Sequence, residues 1–270
     1  MPASDTQFAG SIPEMYDRLM VPLIFEPYAH DIAQRVQALK PQNILEIAAG
    51  TGVVTRAMAA SLPAATRIVV TDLNLPMLDY NKAKLTGDAR LSWRPADAQD
   101  LPFEADSFDV VVCQFGAMFF PDKVRAFGEA RRVLKPGGRY VFNVWDKISE
   151  NDFADEIIKA LALYFPADPP RFMARTPHGY HEPQPIRDAL AAAGFTEVTI
   201  DAVDAVSPAA SPLDAAIAYC QGTPWRNEIE ARDASRLEDA TNHAAAALER
   251  RFGRGPIKGR IRALVITATA

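Results

Sequence analysis

Ile44-Leu-Glu-Ile-Ala-Ala-Gly-Thr-Gly52 is an apolar run of strand length that ends in a glycine turn, and a helical pattern from Thr55 to Leu62 follows directly. Gly50 and Gly52 allow a sharp turn and a close approach of backbone to ligand, with no Cβ in the way. The helix opens at that turn, so its unpaired N–H groups face the same crevice. A G-x-G turn alone serves helix–strand packing as readily as ligand binding. The residues around it have to decide.

Working outward, short apolar runs alternate with amphipathic segments. Arg67-Ile-Val-Val-Thr-Asp72 reads as a second strand, followed by a helix from about Pro76 to Leu85. Arg90-Leu-Ser-Trp-Arg94 is a short third strand, and Phe108-Asp-Val-Val-Val-Cys-Gln-Phe115 a fourth, rich in β-branched residues. Between Asp122 and Leu134 the apolar residues Val124, Phe127, Ala130, Val133 and Leu134 recur at helical spacing. Lys135-Pro-Gly-Gly138 ends that helix, and Arg139-Tyr-Val-Phe-Asn-Val-Trp145 is the fifth strand. Strands alternating with helices predict a parallel sheet with right-handed crossovers and helices on both faces. In such sheets ligands lie beyond the carboxyl ends of the strands, where the strand order reverses.

The second half is less regular. Prolines are dense from Pro166 to Pro185, which reads as a connection or lid, and Ile186 to Ala193 as a helix stopped by Gly194. Phe195 to Ile200 and Arg262 to Ala268 read as strands, with an alanine-rich, charged stretch from Ser211 to Phe252 between them that predicts two helices.

Composition sets the broad class. The 270 residues are 49% hydrophobic and 23% charged, which excludes a disordered chain. With 29 basic against 34 acidic residues the net charge is −5, without the basic excess of a general nucleic-acid binder. Cys113 and Cys220 cannot make a disulfide framework and have no partners at zinc-ligand spacing. His178 and His181 are three apart but lack an acidic or cysteine cluster to complete a metal site, so none is expected. The N-terminus shows no secretory pattern, and the longest nearly apolar stretch, Val110 to Phe120, is about half the roughly 20 residues of a membrane span. A cytoplasmic setting with no membrane span is the expectation.

Carboxylates at successive strand ends point to the ligand. Glu46 follows the first strand, Asp72 the second and Asp97 the third. A dinucleotide site wants a third glycine where this chain has Thr55, and Glu46 would sit against the pyrophosphate, negative on negative. A ligand carrying a cation fits better. Asp72 suits a ribose diol, Asp97 with the N–H of Ala98 suits the edge of an aminated base, and Met77 offers polarizable surface to a flat ring. Tyr80-x-x-x-Lys84 mimics a dehydrogenase pair, but on a helix that is a poor place for chemistry. An NAD(P)-dependent oxidoreductase and a non-catalytic cofactor-binding module remain the alternatives.

The runs Ile44–Gly52, Val70-Thr-Asp-Leu-Asn74, Asp97-Ala-Gln-Asp-Leu-Pro-Phe103, Ser107–Phe115 and Arg132-Val-Leu-Lys-Pro-Gly-Gly-Arg139 resemble class I S-adenosylmethionine-dependent methyltransferases. Within these they look like the branch holding the ubiquinone/menaquinone-biosynthesis methyltransferases and other small-molecule enzymes. The resemblance covers about residues 10 to 146. It implies that Glu46, Ala48, Gly50 and Gly52 form the turn under the methionine part of S-adenosylmethionine, and that Asp72 holds the ribose. Leu73 and Met77 would flank the adenine, Asp97 and Ala98 read its edge, and Gln114 and Phe115 lie beside the methionine. Tyr16, in an N-terminal helical lid over residues 1–40, would touch the cofactor. Ala48 stands where many members carry glycine.

The expected fold is therefore a Rossmann-like, seven-stranded, mostly parallel α/β sheet with an antiparallel last strand. The core would take residues 41–206 and 259–270, with a lid segment at 147–185, and residues 207–258 would be an inserted helical cap. The acceptor is expected to be a small apolar or aromatic molecule, given Phe119, Phe120, Phe165, Phe172, Tyr180 and Trp225. No sequence motif marks a catalytic base; His178 and His181 are the only candidates, each of which also reads as a polar turn residue. The oligomeric state is not legible.

Overall fold

The structure, a computed structural model, describes residues 12–270, and the expected lid before residue 12 lies outside them. Seven strands, β1 (Asn43–Glu46), β2 (Arg67–Asp72), β3 (Leu91–Pro95), β4 (Phe108–Gln114), β5 (Leu134–Trp145), β6 (Thr196–Ala209) and β7 (Ile257–Thr269), form one sheet ordered β3-β2-β1-β4-β5-β7-β6. The pairs β1–β2, β1–β4, β2–β3 and β4–β5 are parallel. β7 runs against β5: Gly137 N–H donates to Ala270 O near one end of the pair, and Asp146 N–H to Arg262 O near the other. The mostly parallel, seven-stranded sheet with an antiparallel last strand is thus the observed architecture. The chain winds outward from β1 to β3 and returns to place β4 beside β1, so the order reverses between those two strands.

The chain divides into two compact units. The first to be described comprises Tyr28–Val144, His181–Val203 and Ala263–Ala270. Its strands alternate sides, as the pleat dictates. Ile44, Ile68, Val70, Val110, Val112 and Val141 bury one face against Ile32 and Val36 of α2 (Glu26–Ala38), Val54 and Met58 of α3 (Val53–Ser61) and Leu78 of α4 (Leu75–Lys84). On the other face, Phe127 of α5 (Lys123–Val133) packs on Tyr140 and Phe142 of β5, ring centroids 5.8 and 5.4 Å away. Asp122 caps α5 by accepting from the Arg125 N–H at 2.9 Å, and Asn74 caps α4 by accepting from the Met77 N–H. α8 (Pro183–Ala192) completes the helices of this unit. α2 falls wholly inside residues 1–40, the span expected to be an N-terminal lid, and from Ala29 to Val36 it is part of this core.

The second unit comprises the described residues up to Pro27, Trp145–Tyr180 and Asp204–Arg262. A four-residue turn of helix, α1 (Ile12–Met15), leads into a π-helix, Tyr16–Phe25, that contains Pro22. Proline supplies no N–H to a regular ladder, and Glu26 N–H reaches five residues back to Val21 O. α6 (Asp152–Tyr164), α9 (Pro212–Gln221) and α11 (Leu237–Phe252) pack on one another, while α7 (Phe172–Arg175) and α10 (Trp225–Asp233) are shorter. The alanine bias is explained here: Ala215, Ala216 and Ala218 of α9 and Ala240, Ala244 and Ala247 of α11 are all buried. Small side chains let the two helices approach closely. Where the sequence predicts two helices there are three, because Asp233 breaks the run by accepting from the Ser235 N–H.

Candidate functional site

The carboxyl ends of β1, β2 and β4 meet at the reversal of strand order. Glu46 is level with Val70 of β2 and Val112 of β4, so Asp72 and Gln114, each the last residue of its strand, extend two residues further. The chain beyond Glu46 stays in the sheet's reach: Ile47 N–H donates to Val112 O and Ala49 N–H to Thr71 O. It then turns through Ala48 (φ 53°), Gly50 (φ 55°) and Gly52 (φ 87°), all left-handed. Gly52 precedes α3 without any side-chain cap, and no atom stands within 4 Å of where a Gly50 Cβ would be. On the far lip Phe115 is also left-handed (φ 50°), its N–H shared between Asn143 O and Asn143 Oδ1. Such backbone is costly for residues with a side chain and marks a geometry fixed by its surroundings.

Asp72 ties the two lips of the turn together. Its Oδ2 accepts from Gly50 N–H and its Oδ1 from Asn74 N–H, both at 2.7 Å. The carboxyl is buried, which raises its pKa against the lowering effect of these backbone donors. Glu46, 1% exposed, is pushed up to about 8, chiefly by burial, with Asp72 adding to it and the hydroxyl of Thr55 opposing it. Thr55 Oγ1 donates to Glu46 Oε2 at 2.7 Å. The residue that breaks the dinucleotide pattern is therefore a partner of the loop's own carboxylate.

The other residues expected at the site fall around the same strand ends. Met77 is buried in the first turn of α4, and Leu73, 70% exposed, stands just past Asp72. Asp97 is half-buried, with Oδ1 accepting from Gln99 N–H at 2.9 Å, and Ala98 beside it is buried. Gln114 is half-buried and paired in register with Asn143. The Tyr80–Lys84 pair is a helix-surface contact, Lys84 Nζ 4.8 Å from the Tyr80 ring centroid. Tyr16 belongs to the other unit, where its ring stacks on Phe25 at 5.0 Å. The two histidines part company: His178 lies in the unit of Tyr16, buried, with Nδ1 2.8 Å from Asp146 O, whereas His181 lies in the sheet-bearing unit. A carbonyl only accepts, so His178 Nδ1 carries a proton.

The sequence reading passed over several residues of this crevice. Thr51, between the glycines, is 2% exposed and its Oγ1 has no partner. Asn143 Nδ2, fully buried next to Phe115, has none either. Gly116 is fixed by Ala48: a Cβ at 116 would stand 2.5 Å from that of Ala48. A polar residue inside the glycine turn and one within an apolar strand were the available signal.

Residues 45–142 match the family model described as a methyltransferase domain. Demethylmenaquinone methyltransferase of Clavibacter sepedonicus is 43% identical over 100 residues, which are 37% of this chain and 40% of that protein. Ubiquinone/menaquinone biosynthesis C-methyltransferase of Geotalea daltonii is 37% identical over 102 residues, 37% of this chain and 43% of its own. The chain thus spans less than half the length of these curated relatives. Among solved structures, phosphoethanolamine N-methyltransferase 2 of Haemonchus contortus, in complex with S-adenosyl-L-methionine, superposes with a TM-score of 0.61 at 16% identity, covering 100% of this chain and 60% of that one. Sequence motifs and sheet order agree with these matches: residues 45–142 are similar to methyltransferase domains.

Proposed function

We propose that the protein transfers the methyl group of S-adenosylmethionine to a small apolar or aromatic acceptor of quinone-like character. The observation that carries the reading is the Asp72 carboxylate, anchored by Gly50 and Asn74 N–H beside an open glycine turn. What the crevice lacks also fits: the buried Thr51 hydroxyl and Asn143 amide want polar partners, and Gly50 leaves space for one. In this reading Asp72 receives the ribose hydroxyls, Asp97 and Ala98 read the adenine edge, and Leu73 and Met77 flank its ring. Glu46, Ala48, Gly50 and Gly52 lie under the methionine part, with Gln114 and Phe115 at the neighbouring strand end.

Bound there, S-adenosylmethionine supplies an activated methyl group on a sulfonium. The protein's share is to bind it, to orient it and to keep water from it. A carboxylate near a sulfonium lowers the cost of holding that cation out of water. The curated relatives are named for menaquinone and ubiquinone precursors, which supports a quinol-like acceptor. Calorimetric titration with S-adenosylhomocysteine and with NAD tests the cofactor, and transfer of labelled methyl to a panel of phenols and quinols tests the acceptor. Binding of the S-adenosyl compound and labelling of an aromatic acceptor are expected; binding of NAD alone overturns the reading.

A further inference from the structure

Glu46, Thr55, Asn81 and Trp93 come from four different elements, β1, α3, α4 and β3, and form one hydrogen-bonded chain under the glycine turn. Trp93 Nε1 donates to Asn81 Oδ1 at 3.3 Å, Asn81 Nδ2 to Thr55 Oγ1 at 3.1 Å, and Thr55 Oγ1 to Glu46 Oε2 at 2.7 Å. The direction is set from the Trp93 end. An indole N–H only donates, so the Asn81 carbonyl oxygen faces Trp93 and its amide nitrogen faces Thr55. Thr55 receives that bond on its oxygen and has its single proton left for Glu46. With the Thr55 proton directed at Oε2, a proton on the Glu46 carboxyl sits on Oε1. Thr55 and Asn81 are fully buried, and Asn81 also seats the turn itself, since a Cβ on Gly52 would stand 2.4 Å from Asn81 Cγ.

We propose that Thr55 and Asn81 are positioning residues that hold Glu46 with its proton on Oε1, and that binding of the positively charged cofactor expels this proton to solvent. The inference rests on the reading of the crevice as an S-adenosylmethionine site. Only the O–H bond changes: the proton leaves and the carboxylate remains as counter-charge to the ligand's cation. The groups that face Glu46 set the balance. Burial favours the protonated form most, and Asp72 at the end of β2 adds to it. Arg56 on α3 and the Thr55 hydroxyl favour the ionised form, and the buried Cys113 thiol on β4 is the remaining titratable neighbour. At pH 7 the ligand-free carboxyl, with its pKa pushed up to about 8, is mostly protonated.

Carboxyl carbon-13 NMR of the ligand-free protein tests the positioning. Glu46 is expected to titrate near 8; Thr55→Val moves its midpoint upward by roughly one unit through loss of a donor, while Thr55→Ser restores it. Titration with S-adenosylmethionine, which carries the sulfonium cation that S-adenosylhomocysteine lacks, at pH 7 and in two buffers of different ionisation heat, tests the coupling. Close to one proton leaves per ligand in the wild type and none in Glu46→Gln. A Glu46 midpoint in the ordinary carboxylate range, or one that Thr55→Val leaves in place, overturns the positioning role. Equal proton release by wild type and Glu46→Gln overturns the coupling. Absence of binding by the wild type sinks the functional reading and the coupling with it, while the NMR titration still decides the hydrogen-bond chain.

Discussion

At Asp72 the Gly50 and Asn74 N–H groups donate to different carboxylate oxygens, and the Leu73 N–H also acts on the carboxylate. Asp72→Ala is expected to weaken binding of S-adenosylhomocysteine by about 1–3 kcal/mol, read by calorimetry on a protein that stays folded. Gly52 is a different case, because its backbone is left-handed and its neighbour is Asn81 rather than solvent. Gly52→Ala should cost about 1–3 kcal/mol of stability in urea unfolding, and Asn81→Ala in the same chain should return the steric part of that loss. The strand-end carboxylates were legible because a strand's last residue can be read from its own apolar pattern. Thr55 and Asn81 were not: they stand 26 residues apart and their polarity has meaning only once α3 and α4 lie side by side.

At the scale of elements, what could be read followed local pattern. β1 to β4 and α3 to α5 lie close to where periodicity and caps put them. The start of β5 does not, since Lys135-Pro-Gly-Gly138 reads as a helix stop and yet belongs to the strand. Its register against β4 shifts between Phe108 and Val110, an irregularity that accommodates a stretch poor in side chains. The π-helix at Tyr16–Phe25 had no sign in the sequence beyond Pro22. The alanines of α9 and α11 announced helices but not their closeness. Ala244, fully buried, tests that point: Ala244→Leu should destabilise the protein by about 1–3 kcal/mol through overpacking, measured by denaturant unfolding.

For the molecule as a whole the two buried carboxyls at the crevice give stability a slope against pH. Glu46 is raised from 4.5 to about 8, so between those values the native state holds a proton that the unfolded chain has released. Its contribution is full below about 4.5 and is lost as pH rises through about 8, on the order of 3–5 kcal/mol for a shift of this size. Asp72 is raised as well and acts in the same direction. The ligand-free protein should therefore melt at a falling temperature as pH climbs from 5 to 8, and Glu46→Gln should flatten that slope. A wild-type melting temperature that rises over the window would contradict the burial of an uncharged Glu46.

The Ala48 methyl and the Cys113 sulfur together leave no room for a side chain at Gly116. The loop after β1, the end of β4 and the turn after it thus share a single allotment of volume, which is already spent. Because a Cβ at 116 would also stand 2.7 Å from Cys113 Sγ, Ala48→Gly alone does not make room for Gly116→Ala, and the methyl cannot simply be moved across. A methyl added at 116 would wedge the two loops apart, which makes this contact a spacer by which the opening at the head of the sheet is set.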